Sequence, residues 1–324
     1  MKLLTALVAV VVGVGGTVGL FYGLNYLVEH ALPQRMRNTA RPWVFIGPAV
    51  LIVGLYLLFP AVDTIRRSFM DARSESLSGL ENYQYLFTDD AVLSTIWNNV
   101  LWIIVVPTAS VAVGLAVAVL ADKLKPKWEN SAKSLIFLPM AISFVGASTI
   151  WGFIYAWRAE GQPQIGILNA IWTRLGNAPV AWLDQPQYND FLLMVIMIWL
   201  QAGFAMVLLS AAIKNVPDDT IEAARIDGAT EVQIFWRVVV PQIKSSILVV
   251  GTTILILVLK VFDIVLVMTG GRAGTDVVAN RFITELINNR HNGRAAVLVV
   301  FLILLTIPFM ISNIRRFRAQ ESTR

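Results

Sequence analysis

Reactive side chains are sparse in this sequence, and their spacing decides what chemistry is open to it. Cysteine is absent from the 324 residues and histidine occurs only as His30 and His291. That removes disulfides, thiolate nucleophiles and a multi-histidine metal site within one chain. Two groupings of charge remain. Glu222 and Arg225 stand at i,i+3 around the slim pair Ala223-Ala224, so a short helix there would offer both charge signs and a low profile to a partner. Lys260 and Asp263 are also at i,i+3, inside an apolar stretch, where each costs free energy unless it faces a cavity or a partner. A lysine that snorkels and is neutralised by its neighbour is the plainer account of that pair. The run Gly13-Val14-Gly15-Gly16-Thr17-Val18-Gly19 lacks both the Lys-Ser/Thr of a Walker loop and the spacing of a dinucleotide fingerprint. Close helix packing accounts for it better, and no other stretch offers a nucleotide loop.

The elements that must position these residues are set by composition. The chain is 56% hydrophobic and 15% charged, against roughly 25% charged in a soluble domain. Stretches 3–28, 44–62, 96–121, 134–157, 191–213, 245–269 and 295–314 each approach or exceed the ~20 apolar residues that span a bilayer as a helix. Continuous apolar runs, rather than alternating ones, point to helices whose backbone bonds close internally. The expected fold is therefore all-α, a polytopic membrane bundle of six core helices with an extra N-terminal helix over 1–30. A linker would cover 31–43, the core 44–318 and a tail 319–324. The formal charge of +5 reports topology rather than nucleic acid. Arg315-Arg316-Phe317-Arg318 directly after the last helix puts the C-terminus in the cytoplasm, and segment 29–43 and loop 214–244 fall on the same side.

Loop 214–244 has internal design. Asp219 reads as a helix cap to which Glu222 reaches back, Gly228 as a left-handed stop, and Thr230-Glu231-Val232-Gln233 as a second capping box leading to Pro241. The expectation is a helix-turn-helix on the membrane surface.

In this segment Glu222-Ala223-Ala224, Gly228 and Val238-x-Val240-Pro241 match the spacing of Glu-Ala-Ala, three residues, Gly, nine residues, Ile-x-Leu-Pro, with Val for Ile and Val for Leu. The chain thereby resembles the permease subunits of binding-protein-dependent ABC importers. Leu80-Glu81-Asn82-Tyr83, Phe137-Leu138-Pro139 and Phe262-Asp263 … Met268-Thr269-Gly270-Gly271 extend the likeness over roughly 43–318. It is similar to the larger membrane subunit of maltose importers and most similar to α-glucoside permeases. The resemblance implies that Glu222, Ala223, Ala224, Arg225, Asp227, Gly228 and Pro241 dock into an ATPase subunit. It further implies a bacterial inner-membrane location, a second permease subunit as heterodimer partner, an ATPase dimer that uses ATP and Mg, and an extracytoplasmic solute-binding protein. No cofactor is expected on this chain, and it is no enzyme itself.

Leu200, Gln201 and Phe204 fall where the maltose-type family contacts sugar. A ring that covers an apolar C–H face and an amide that bonds hydroxyls suit a saccharide. On the next helix the corresponding positions are Ile254, Leu257, Val258 and Val261, all apolar, so Lys260 and Asp263 stand as alternatives. The implied cargo is an α-glucoside or related oligosaccharide, with a polyol or glycosyl-glycerol type conjugate as alternative. A secondary transporter or channel would want carboxylates in mid-membrane, and Asp263 is the only one within a core stretch. A membrane enzyme would want clustered acids and bases, which the sequence does not offer.

Overall fold

In a computed structural model of the protein, which describes residues 2–31 and 33–321, helix follows helix. Among the described residues the only bridge pairing is Met70 with Leu77. The chain divides into two compact units, Met1–Arg66 and Arg67–Arg324.

In the first unit α1 (Lys2–Ala31) is followed by α2 (Gln34–Val53), which runs through a π-helical turn, Gly54–Leu58, into α3 (Phe59–Arg67), whose last residue begins the second unit. Pro33 at the N-cap of α2 has φ −61° and ψ 151°; its ring fixes the extended bend that separates α1 from α2. Arg41 meets Glu29 across that bend at 2.5 Å, and the Phe21 and Phe45 rings stack at 6.1 Å.

The second unit carries α4 (Glu81–Thr88), α5 (Asp90–Ala121), α6 (Pro126–Phe137), α7 (Phe144–Ile154), α8 (Ile167–Arg174) and α9 (Asn189–Lys214). Then come α10 (Asp218–Ile226), α11 (Glu231–Ile234), α12 (Val240–Gln242), α13 (Lys244–Val258), α14 (Asp263–Met268), α15 (Val278–Ile283) and α16 (Asn292–Glu321). By length and composition Met36–Arg67, Asp90–Ala121, Asn189–Lys214 and Asn292–Arg315 can each cross a membrane, and two bent helix pairs bring the number to as many as six. The side chains of Arg316, Phe317 and Arg318, on which the expected orientation leaned, and residues 322–324 of the tail lie outside the described residues.

Two expected spans are broken. The stretch 134–157 turns by 104° between Pro126–Ala141 and Phe144–Ile154. Pro139 interrupts the amide ladder and Ser143 caps the new helix, its Oγ accepting from Gly146 N–H at 3.1 Å. The stretch 245–269 also ends early: α13 stops at Val258, Phe262 takes φ −148° and ψ −57°, and α14 starts afresh at Asp263. Lys260 and Asp263 therefore do not share one helix face, and no ion pair joins them among the described residues.

Most of α9 is buried. Leu193, Met194, Ile196, Met197, Leu200 and Leu209 fill the core around it, with Val250, Ile254 and Val258 from α13 and Trp102 and Val106 from α5. The helices approach to backbone contact: a Cβ on Gly114 of α5 would lie 2.8 Å from the Met206 amide nitrogen of α9. Close contact through small residues supplies dispersion where lipid offers no hydrophobic gain.

Candidate functional site

The segment after α9 forms the expected helix-turn-helix, with one cap changed. Pro217 occupies the N-cap of α10 without a side-chain hydrogen bond. Asp219, expected as the cap, instead lies with Asp218 in the first turn, where both carboxylates complement the helix dipole. The far end is closed by a Schellman motif. Gly228 has φ +82°, its N–H donates to the Arg225 carbonyl, and Ala229 N–H donates to the Ala224 carbonyl, both at 3.0 Å. The capping box of α11 also forms, Thr230 N–H donating to Gln233 Oε1 at 2.8 Å and Gln233 N–H to Thr230 Oγ1 at 3.4 Å.

Arg225, exposed beside Glu222, is also held by Glu231 of α11, Nε to Oε1 at 2.8 Å and Nη2 to Oε2 at 3.3 Å. The bidentate pair raises the guanidinium pKa above its ordinary value and links α10 to α11 on the exposed surface. Ile221 and Ala224 turn toward the core, while Glu222, Ala223 and Asp227 stay exposed and Pro241 is exposed in α12. Ile226 is 86% exposed and was not singled out in the sequence, although it lies off the Ile221/Ala224 stripe and so cannot reach the core with them.

The segment hangs from a bonded cluster of charge. Lys133 Nζ of α6 meets Asp122 Oδ1 after α5 and Glu129 Oε1 on its own helix, both at 2.6 Å, and donates to Ser210 Oγ of α9. Ser210 Oγ donates to Asp122 Oδ1 at 2.9 Å, and Lys214, the last residue of α9, donates to Glu129. Three helix ends are thus joined three residues before Pro217. The sequence hides this cluster because Ser210 lies 88 residues from Asp122 and 77 from Lys133.

Midway along α9 the residues expected to meet a substrate are sorted. A cavity of about 400 Å³, inside the roughly 300–1,000 Å³ of small-molecule sites, is walled by Leu200, Gln201, Leu257 and Asp263 together with Ser143 and Phe144. Gln201 is 3% exposed and its Oε1 accepts no hydrogen bond from the protein, an acceptor held where it costs free energy until something donates to it. Phe204, Val258, Lys260 and Val261 do not line this cavity. Phe204 packs on the core, Val258 and Val261 are buried in it, and Lys260 is exposed. Phe144, carried there by the bend after Pro139, lines the cavity.

At the other end of α9, neutral amides fix the loop that follows α14. Asn98 of α5 donates to the Gly274 and Asp276 carbonyls at 2.6 and 2.9 Å, and Asn189 of α9 donates to the Ala273 carbonyl at 2.8 Å. They hold a backbone in which Gly271 and Ala273 take φ +81° and +54°.

Apolar helices long enough to cross a membrane, a bonded loop helix after α9 and a cavity beside Gln201 are the geometry against which the comparisons stand. The family described as "Binding-protein-dependent transport system inner membrane component" matches residues 110–314. The chain is 55% identical over 281 residues to the osmoprotective compounds uptake permease protein GgtC of Synechocystis sp., covering 87% of this chain and 100% of that one. It is 45% identical over 327 residues to the alpha-glucoside transport system permease protein AglF of Rhizobium meliloti, covering 97% of each. A crystal structure of a bacterial ABC transporter that imports alginate aligns with TM-score 0.74 at 18% identity, over 88% of this chain and 98% of that one. The chain belongs to the binding-protein-dependent transport system inner membrane component family. It is a multi-pass inner-membrane subunit of an ATP-driven importer, and ATP is hydrolysed by a separate subunit.

Proposed function

We propose that the protein carries a small neutral α-glucoside across the membrane, with Gln201, Asp263 and Phe144 as its main contacts. The observation that carries this reading is Gln201, which lines the 400 Å³ cavity and whose buried Oε1 has no hydrogen-bond partner. A sugar hydroxyl would donate to it, Asp263 would accept a second, and the Phe144 ring would cover an apolar C–H face. The likeness to AglF, whose name specifies alpha-glucosides, supports the cargo. The likeness to GgtC, named for osmoprotective compounds, favours a second reading, a polyol or glycosyl-glycerol type conjugate. Affinities of the cognate binding protein for the two solute classes separate them.

In this reading the C-terminus and the segment 217–241 face the cytoplasm, and the Asn189 end of α9 faces out. The chain pairs with a second permease, and an ATPase dimer that uses ATP and Mg receives Glu222, Ala223, Ile226 and Asp227. Arg225 and Gly228 shape that docking face rather than touch the partner. From Gln201 to Lys214 is about 20 Å of helix at 1.5 Å per residue, and the Lys133 cluster stiffens its end. A displacement of the docked segment therefore reaches the cavity, and import follows from a lower solute affinity in the inward-facing state.

The test is uptake of an α-glucoside by the complete importer in proteoliposomes. Gln201→Ala raises KM about tenfold, as loss of one hydrogen bond of about 1.4 kcal/mol requires, whereas Lys260→Ala, outside the cavity, leaves it unchanged. Wild-type kinetics for Gln201→Ala contradict the assigned site.

A further inference from the structure

A second cavity, of about 220 Å³, opens at the Asn189 end of α9. Its walls include Tyr155 and Trp157 after α7, Trp182 and Asp184 of a 3-10 turn before α9, and Thr269 and Arg272 after α14. At roughly 30 Å³ per water this is room for about seven waters, the space of one sugar ring.

The walls are held in place by bonds to the rest of the fold. The Trp182 ring is fixed between Trp172 at 5.5 Å and Tyr188 at 5.7 Å. Tyr155 Oη donates to the Leu192 carbonyl at 3.0 Å, and Arg272 Nε donates to the Thr269 carbonyl at 3.0 Å, which orients the guanidinium. Asn189 ties the two sides together, donating to the Leu183 carbonyl at 3.3 Å and the Ala273 carbonyl at 2.8 Å. Trp182 Nε1 is buried and has no hydrogen-bond partner.

The chemistry selects the ligand. Asp184 and Arg272 bring opposite charges, so the site favours neither an anion nor a cation. A carboxylate and a guanidinium bond vicinal hydroxyls, and indole and phenol rings cover C–H faces. These together describe a neutral sugar ring. Gln201 lies twelve residues farther along α9, about 18 Å at 1.5 Å per residue.

We propose that Trp182, Asp184 and Arg272 form an entry subsite that holds one sugar ring of the solute on its way to Gln201. The proposal rests on the glycoside reading above.

The experiment compares wild type, Trp182→Ala, Trp182→Phe, Asp184→Asn and Arg272→Gln as complete importers in proteoliposomes, measuring glycoside uptake and half-saturation by loaded binding protein. Expected are an approximately tenfold fall in uptake kcat/KM for Asp184→Asn and Trp182→Ala, partial recovery in Trp182→Phe, and unchanged half-saturation by the binding protein. Asp184 and Arg272 are exposed, so their variants decide the matter if Trp182→Ala fails to assemble. Wild-type uptake in both exposed variants overturns the subsite. So does a loss of uptake matched by weaker half-saturation, which assigns this surface to docking of the binding protein. A wild-type importer that moves no glycoside overturns the glycoside reading instead, which keeps the two failures distinct.

Discussion

At its Lys214 end α9 is tied to α5 and α6 by Lys133, Asp122, Glu129 and Ser210, whereas at its Asn189 end it is tied to the loop after α14 by carboxamides, Asn189 with Asn98 beside it. The two fastenings fail differently. Each charge in the first cluster depends on the others, because a carboxylate that loses its cation is left stranded among helix ends. An amide that donates to a backbone carbonyl carries no net charge, so its loss costs only the unpaired carbonyl. At the Lys214 end one ammonium joins three helices at once. At the Asn189 end the amides fix backbone at positive φ without adding charge.

Two substitutions probe this contrast and a third probes the segment beyond Lys214. Lys133→Met should act most strongly, lowering the unfolding midpoint of the purified importer by roughly 5 °C or more, as read by a thermal scan; an unchanged midpoint would mean that the cluster fastens nothing. Asn189→Ala should cost about 2 kcal/mol, concentrated at the loop 270–277, where hydrogen exchange should quicken while the Lys214 end keeps its protection. Equal quickening at both ends would mean that the two fastenings do not act separately. Thr230→Ala removes one half of a capping box and should cost about 1 kcal/mol, visible as faster exchange over 230–234 alone.

Which of these features could be read from the sequence follows from the distance between partners. The Gly228 stop and the Thr230/Gln233 box depend on residues within a few positions of one another, and both form as expected. Asp219 failed as a cap because Pro217 reached the N-cap position first. The break between α13 and α14 was hidden because Leu259 and Val261 continue the apolar pattern through it and remain buried. That break in turn separated Lys260 from Asp263. Phe144 was overlooked in favour of Phe204 because only the bend after Pro139 brings it to Gln201. The Lys133 cluster needs three helices folded together before its members meet.

The account stands or falls on the segment that follows Lys214, and Gly228 is its most exposed point. Proline cannot adopt φ +82°, so Gly228→Pro must reopen the Schellman closure and swing α10 relative to α11 without touching α9. The decisive measurement is the ratio of solute molecules taken up to ATP hydrolysed by the reconstituted importer carrying Gly228→Pro. The account predicts a protein that inserts normally while that ratio falls by at least tenfold. A wild-type ratio, with normal assembly on the ATPase, would contradict it.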